Sequence, residues 1–150
     1  MAVYQLIYRS VAIRLLSDEE LARLVEQSRI HNYSQGITGV LFYAEGRFLQ
    51  VLEGEMEPVK VLYECIWQDS RHTEVVKLFS GPVAQRLFAG WSLGFGQVAP
   101  PALARLDAYL DPEHQAALLP SAYNIEAFIA DTIQEFVRDE FTVTGRQPQR

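Results

Sequence analysis

Gln50 interrupts the apolar run Phe48-Leu-Gln-Val-Leu52, one arm of a largely hydrophobic stretch from Gly36 to Gly54. A primary amide carries both donors and acceptors, and burying it without partners costs about 1–3 kcal/mol. Such a glutamine is either satisfied by backbone or water, or it addresses a polar ligand held against the strand. Tyr8 closes the β-branched and aromatic run Val3-Tyr-Gln-Leu-Ile-Tyr8. On residue type alone its phenol reads as a core ring with a satisfied hydroxyl. A single cysteine, Cys65, excludes an intramolecular disulfide, and with three scattered histidines it offers no metal-ligand spacing, so no metal is expected. Cys65 itself reads as a small packing residue. Arg9-Ser-Val-Ala-Ile-Arg14 contains no glycine, which counts against the anion loop that a small acylphosphatase-like hydrolase needs after its first strand.

A chain of 150 residues is long enough for one domain with a full core. Hydrophobic residues make up 49% and charged residues 21%, a globular balance and not that of a disordered or fibrous chain. A formal net charge of −6 and a pI near 5.0 argue against an electrostatic grip on nucleic acid or on an anionic membrane. No run approaches the roughly 20 apolar residues of a membrane span, and no basic segment followed by an apolar signal core opens the chain. A soluble, cytoplasmic domain is expected, with no nucleic acid and no membrane among its partners.

The elements that must position Tyr8 and Gln50 follow from periodicity. In Val3–Tyr8, read as a first strand, Tyr4, Leu6 and Tyr8 share one face and Val3, Gln5 and Ile7 the other. Ser17-Asp-Glu-Glu20 is a capping box with acidic residues at the positive end of a helix dipole. The helix behind it places Leu21, Leu24, Val25 and Ser28 on one stripe and is expected to end near His31-Asn32, where Asn32 suits left-handed backbone. Val40–Tyr43 and Phe48–Leu52, joined by Ala44-Glu-Gly-Arg47, make a β-hairpin buried on both faces. Glu57-Pro58 opens a second helix, with Val59, Leu62, Tyr63 and Ile66 as its stripe, running to about Asp69. Val75–Phe79 and Trp91–Val98 read as the fourth and fifth strands.

That order, β-α-β-β-α-β-β, predicts an α+β, ferredoxin-like sandwich with two helices on one sheet face. Strand 3 then lies centrally beside strand 1, and Tyr8 and Gln50 share the face that the helices cover. Ala99-Pro-Pro-Ala102 reads as a linker. Beyond it, Leu103, Leu106 and Leu110 suggest a short helix, and Asp111-Pro112 restarts another. Asn124 caps a longer helix whose stripe of Ile125, Phe128, Ile129, Ile133, Phe136 and Val137 must be buried on the open sheet face or on a partner chain. Three segments are expected: 1–98 as the main domain, 99–143 as a helical extension and 144–150 as a disordered tail.

Leu6-Ile-Tyr8-Arg-Ser10, Asn32 ahead of Gly36-Ile-Thr-Gly39, Phe48-Leu-Gln50-Val-Leu-Glu-Gly54, Asp69-Ser-Arg71-His72 and Trp91-Ser92 together resemble the BLUF domain, the blue-light sensor that uses flavin. The resemblance covers about the first hundred residues in order, and the C-terminal helices are similar to those of short, stand-alone BLUF proteins. It implies a photoreceptor that is not an enzyme, holding a flavin (FAD first, FMN or riboflavin as alternatives) between the two helices. By that resemblance Tyr8 is the photochemical electron and proton donor and Gln50 the amide that relays the proton, left rotated or tautomerised after the cycle. Asn32 would hydrogen-bond the isoalloxazine edge, and His31 stands at a cofactor-binding position where asparagine is common and bears on which flavin is chosen. Leu24 and Ile66 would pack on the ring, and Arg29, Arg71 and His72 either meet the phosphate or ribityl chain or are solvated surface. Trp91 and Leu93 stand in the signal relay, Leu93 where methionine is usual. The implied partners are a second copy of the chain and an unidentified downstream protein. A light-insensitive interaction module on the same fold is the remaining alternative.

Overall fold

The computed structural model describes residues 3–113, 115 and 124–144, the last four of these for their backbone alone. Its elements are β1 (Val3–Ala12), α1 (Asp18–Ser34), β2 (Thr38–Ala44), β3 (Arg47–Gly54), α2 (Met56–Gln68), β4 (His72–Val83), β5 (Gly94–Gln97), α3 (Pro100–Leu110) and α4 (Ile125–Thr144). The five strands form one sheet in the order β4-β1-β3-β2-β5. The first four strands are mutually antiparallel where they pair, and β5 joins parallel to β2 at the edge. This is the expected ferredoxin-like α+β plan, with β3 central beside β1.

The hairpin sets the register. Glu45 and Gly46 both adopt positive φ, 44° and 91°, the two-residue turn whose twist matches paired strands. Tyr8 is thereby paired with Gln50, which is paired on its other side with Leu41. Every residue from Phe48 to Gly54 is buried, as the apolar runs require of a strand covered on both faces.

Alternation divides the core into unequal halves. Ile7, Val40, Phe42, Leu49 and Val51 point to one face and join Leu103, Leu106 and Leu110 of α3 and Ile129 and Ile133 of α4 in a single cluster, to which Phe136 and Val137 are added. The stripe on α4 is thus docked on the sheet. The opposite face carries two separate clusters. Leu21 and Val25 of α1 meet Leu41, Tyr43, Phe48 and Leu93 in one; Val59 of α2 meets Leu6, Tyr8, Ile37 and Leu52 in the other. Gln50 belongs to neither.

Several boundaries differ from expectation for identifiable reasons. β4 is longer than Val75–Phe79 because it pairs with β1 along nearly its whole length, past a bulge and a positive φ at Glu74. As an edge strand it tolerates Pro82. β5 is shorter than Trp91–Val98, because the carbonyls of Ser92 and Leu93 are turned to side chains of α1. α2 begins at Met56, so Pro58 is its third residue, still within the turn whose N–H groups have no helical acceptor. Ala99–Ala102 is no linker: Pro100 and Pro101 start α3, where fixed φ and a missing N–H cost nothing. Asn124 caps α4 as expected, its Oδ1 accepting from Ala127 N at 3.0 Å. α4 continues through Thr144; residues 145–150, and most of the helix expected after Asp111-Pro112, lie outside the described residues.

Candidate functional site

The seam between the two clusters is where the polar groups gather. The hydroxyl of Tyr8 donates to Gln50 Oε1 at 2.5 Å, both side chains buried. This bond exists because antiparallel register sets the two residues directly opposite each other on one face. Burial, and then the nearby Tyr63 and Asp69, hold the Tyr8 phenol well above its ordinary range, so it keeps its proton in the resting protein. The ring of Tyr63, on α2, lies 5.7 Å from that of Tyr8 with the planes inclined at 56°.

Gln50 is 6% exposed. With Oε1 committed to Tyr8, its Nε2 makes no hydrogen bond among the described residues. Asn32 is comparable. It sits inside the last turn of α1 in helical conformation, not in the left-handed region, and Gly36 (φ 69°) provides the reversal instead. Its Nδ2 donates to the Ser92 carbonyl at 2.9 Å, and its Oδ1 has no partner among the described residues. α1 is fixed at its other end by Ser17 and Glu20, each side chain bonding the other's backbone N–H.

Two buried amides with unmatched donor and acceptor atoms on one face call for a polar, planar partner. A flavin edge alternates carbonyls and nitrogens, and the residues present fit it. Leu24 and Ile66 are half-buried on the inner stripes of α1 and α2. His72 is committed to structure: its Nε2 lies 2.5 Å from the Ile66 carbonyl, and its Nδ1 lies 2.8 Å from Ser10 Oγ. Because a carbonyl only accepts, Nε2 carries the proton, and the ring ties the end of α2 to β1. Arg71 is exposed and pairs with Asp69, whose carboxyl the guanidinium draws down to about 2. His31 is exposed on the last turn of α1. Trp91 and Leu93 part company: Trp91 packs with the α3–α4 side, 5.4 Å from the ring of Phe88, whereas Leu93 is fully buried under α1. Trp91 lies so closely over Gly94 that a Cβ there would come within 2.2 Å of its ring.

Four participants were not anticipated in these roles. Arg29 Nε donates to the Leu93 carbonyl at 2.9 Å, beside the Asn32–Ser92 bond. Ser92 and Tyr63 enter only through contacts between elements. Glu53 is a fully buried carboxylate on the opposite face, accepting from Leu87 N (2.6 Å), Phe88 N (3.1 Å), Thr38 Oγ1 (3.0 Å) and the Gln5 amide. Burial raises its pKa while those donors pull it back. A charge inside a wholly buried strand was its visible signal. The two arginines that bracket the glycine-free segment 9–14 are both paired, Arg9 with Asp107 of α3 and Arg14 with Glu20. Among the described residues no cluster could hold a metal, and no helix is long and apolar enough to cross a membrane.

The family model described as BLUF, sensors of blue-light using FAD, matches residues 3–94. The photoactivated adenylate cyclase subunit alpha of Euglena gracilis is 33% identical over 132 residues, covering 88% of this chain and 13% of that protein. The chain spans about a tenth of the length of this and the similar beta subunit. Among solved structures, the dark state of the BLUF protein BlrB aligns with a TM-score of 0.64 and 27% identity, covering 89% of this chain and 96% of that one. Klebsiella pneumoniae BlrP1 with FMN and cyclic diGMP aligns with a TM-score of 0.61 and 27% identity, over 91% of this chain and 36% of the other.

Proposed function

From membership of the BLUF family, the flavin-using sensors of blue light to which this chain belongs, we infer that Tyr8 and Gln50 are its photochemical switch and that Asn32 holds the flavin edge. The observation that carries this is the buried Tyr8–Gln50 hydrogen bond at a seam where two amides keep unmatched polar atoms. A bound flavin supplies absorption of blue light and an excited state able to oxidise a phenol. The chain's own residues supply the rest. The raised pKa of Tyr8 keeps its proton on Oη in the dark, and oxidation of the ring makes that proton acidic. Gln50 Oε1, at 2.5 Å, is placed to receive it, and Nε2 is the atom from which the amide passes a proton onward. An amide that has exchanged its ends presents a different hydrogen-bonding pattern afterwards, which is a stored change of state. Leu24 and Ile66 exclude water from the seam. Arg71 and His72 act beyond it: Arg71 is free to meet a phosphate only by leaving Asp69, and His72 fixes the end of α2.

The chain is a sensor and not itself an enzyme. It works in the cytoplasm on a separate downstream protein, associates with a second copy of itself, and uses FAD in preference to FMN or riboflavin. Trp91 and Leu93, on opposite faces of the sheet, carry the change towards the C-terminal helices. The test is direct. Purified protein should be yellow, release flavin on denaturation, and show a small red shift of its visible absorption in blue light that reverses in the dark. Protein that takes up no flavin on reconstitution, or whose bound flavin shows no reversible shift, overturns the proposal.

A further inference from the structure

We propose that Glu53 is a positioning residue that links the flavin-facing end of α1 to α4 through the connection between β4 and β5, a step of regulation that rests on the light-sensing function above. Residues 84–93 are held at successive points by different parts of the molecule. At the start, Ala84 N donates to Glu126 Oε2 on α4 at 3.0 Å. In the middle, the Glu53 carboxylate takes the backbone N–H groups of Leu87 and Phe88, and Arg86 binds both Thr38 Oγ1 and the Glu53 carbonyl. Phe88 in turn holds Trp91, by its carbonyl to Trp91 N at 2.9 Å and by ring contact. At the far end the Trp91 carbonyl accepts from Gly39 N, and the Ser92 and Leu93 carbonyls accept from Asn32 and Arg29.

The segment therefore begins on α4, crosses the buried carboxylate and finishes on the amide assigned to the flavin edge. Glu53 is the only carboxylate buried among the described residues, and its oxygens face donors alone, two of them backbone N–H groups of this segment. A carboxylate so placed makes 84–93 respond as one piece: without it, Leu87 and Phe88 lose their acceptors, and Phe88, which contacts Trp91, is held less firmly. Because Glu53 points away from Tyr8 and Gln50, its removal separates the coupling from the photochemistry.

The experiment is hydrogen exchange, in the dark and under blue light, on the whole chain with Glu53→Gln and Glu126→Ala as variants. Glutamine keeps the volume but turns an amide NH2 towards backbone donors. Expected for Glu53→Gln is faster dark exchange at Leu87 and Phe88, in flavin-free as well as flavin-loaded protein. The reversible red shift should be retained, and the light-induced change in exchange over 125–137 lost. Glu126→Ala, an exposed site that leaves the core intact, should lose the response over 125–137 and keep it over 84–93. A wild-type response over 125–137 in either variant overturns the proposal. Loss of the red shift in Glu53→Gln also overturns it, since the effect would then lie at the photochemical site. Absence of a red shift in the wild-type protein instead refutes light sensing itself.

Discussion

The two faces of this sheet are built from the same alternating strands and closed in different ways. Behind Ile7, Phe42, Leu49 and Val51, the helices α3 and α4 complete one continuous apolar cluster. In front, α1 and α2 close separate clusters and leave Gln50 and the hydroxyl of Tyr8 between them. A fold optimised only for stability would fill both sides alike, since each buried aliphatic side chain contributes about 1.5–3 kcal/mol. The divided face gives up that continuity for a phenol and an amide, and the amide keeps a donor nitrogen unmatched among the described residues. One face carries a single continuous core, and the other carries the switch proposed for Tyr8 and Gln50.

The sharpest way to break this comparison is to injure each face in turn. Phe42, fully buried and edge-on to Phe136 at 4.9 Å, is the test on the closed side. Phe42→Ala should destabilise the chain by about 3–5 kcal/mol in urea unfolding, while whatever protein folds keeps its light response. Normal stability in that variant would show that α4 contributes little to the core. On the divided side, Tyr8→Phe should cost about 1–3 kcal/mol, because Gln50 Oε1 stays buried without its donor, and abolish the red shift while flavin stays bound. A Tyr8→Phe protein with a normal photocycle would move the donor elsewhere, with Tyr63 the next ring to examine.

pH sharpens the same contrast. The pKa of Tyr8 is raised in the folded state, so the stability it contributes is complete below the ordinary phenol value of 10.0 and is lost as pH rises beyond it. Urea midpoints between pH 8 and 11 should therefore fall at the alkaline end and fall less in Tyr8→Phe. Asp69 has the opposite sign. Its carboxyl is lowered to about 2 by Arg71, so its contribution is present above the ordinary value of 3.8 and fades as pH drops towards 2. Being largely exposed, the pair contributes less than ~1 kcal/mol, and Asp69→Asn should flatten the acid limb only slightly.

Strand and helix order, the hairpin register and the facing of Tyr8 and Gln50 were legible in the sequence because they depend on periods of two and 3.6 and on turn chemistry. The docking of the α4 stripe was legible as a need, though a partner chain could have met it equally. What escaped the sequence depends on contacts between distant elements. β5 is short because Asn32 and Arg29 take the Ser92 and Leu93 carbonyls, sixty or more residues away. His72 suggested a ligand contact, but its two nitrogens meet Ser10 and the Ile66 carbonyl. Pro100-Pro101 suggested a break, yet proline is also suited to a first helical turn, and local chemistry alone does not decide between the two.

The claim that the seam works as a light switch is tested most directly by the light-minus-dark absorption difference of Gln50→Leu beside the wild-type chain, at equal bound flavin. Leucine removes the amide with little change in volume and leaves both apolar clusters in place. The wild-type protein should show a small red shift that decays in the dark, and the variant none. A normal, reversible difference spectrum in Gln50→Leu would contradict the account, because no other side chain accepts the Tyr8 proton among the described residues.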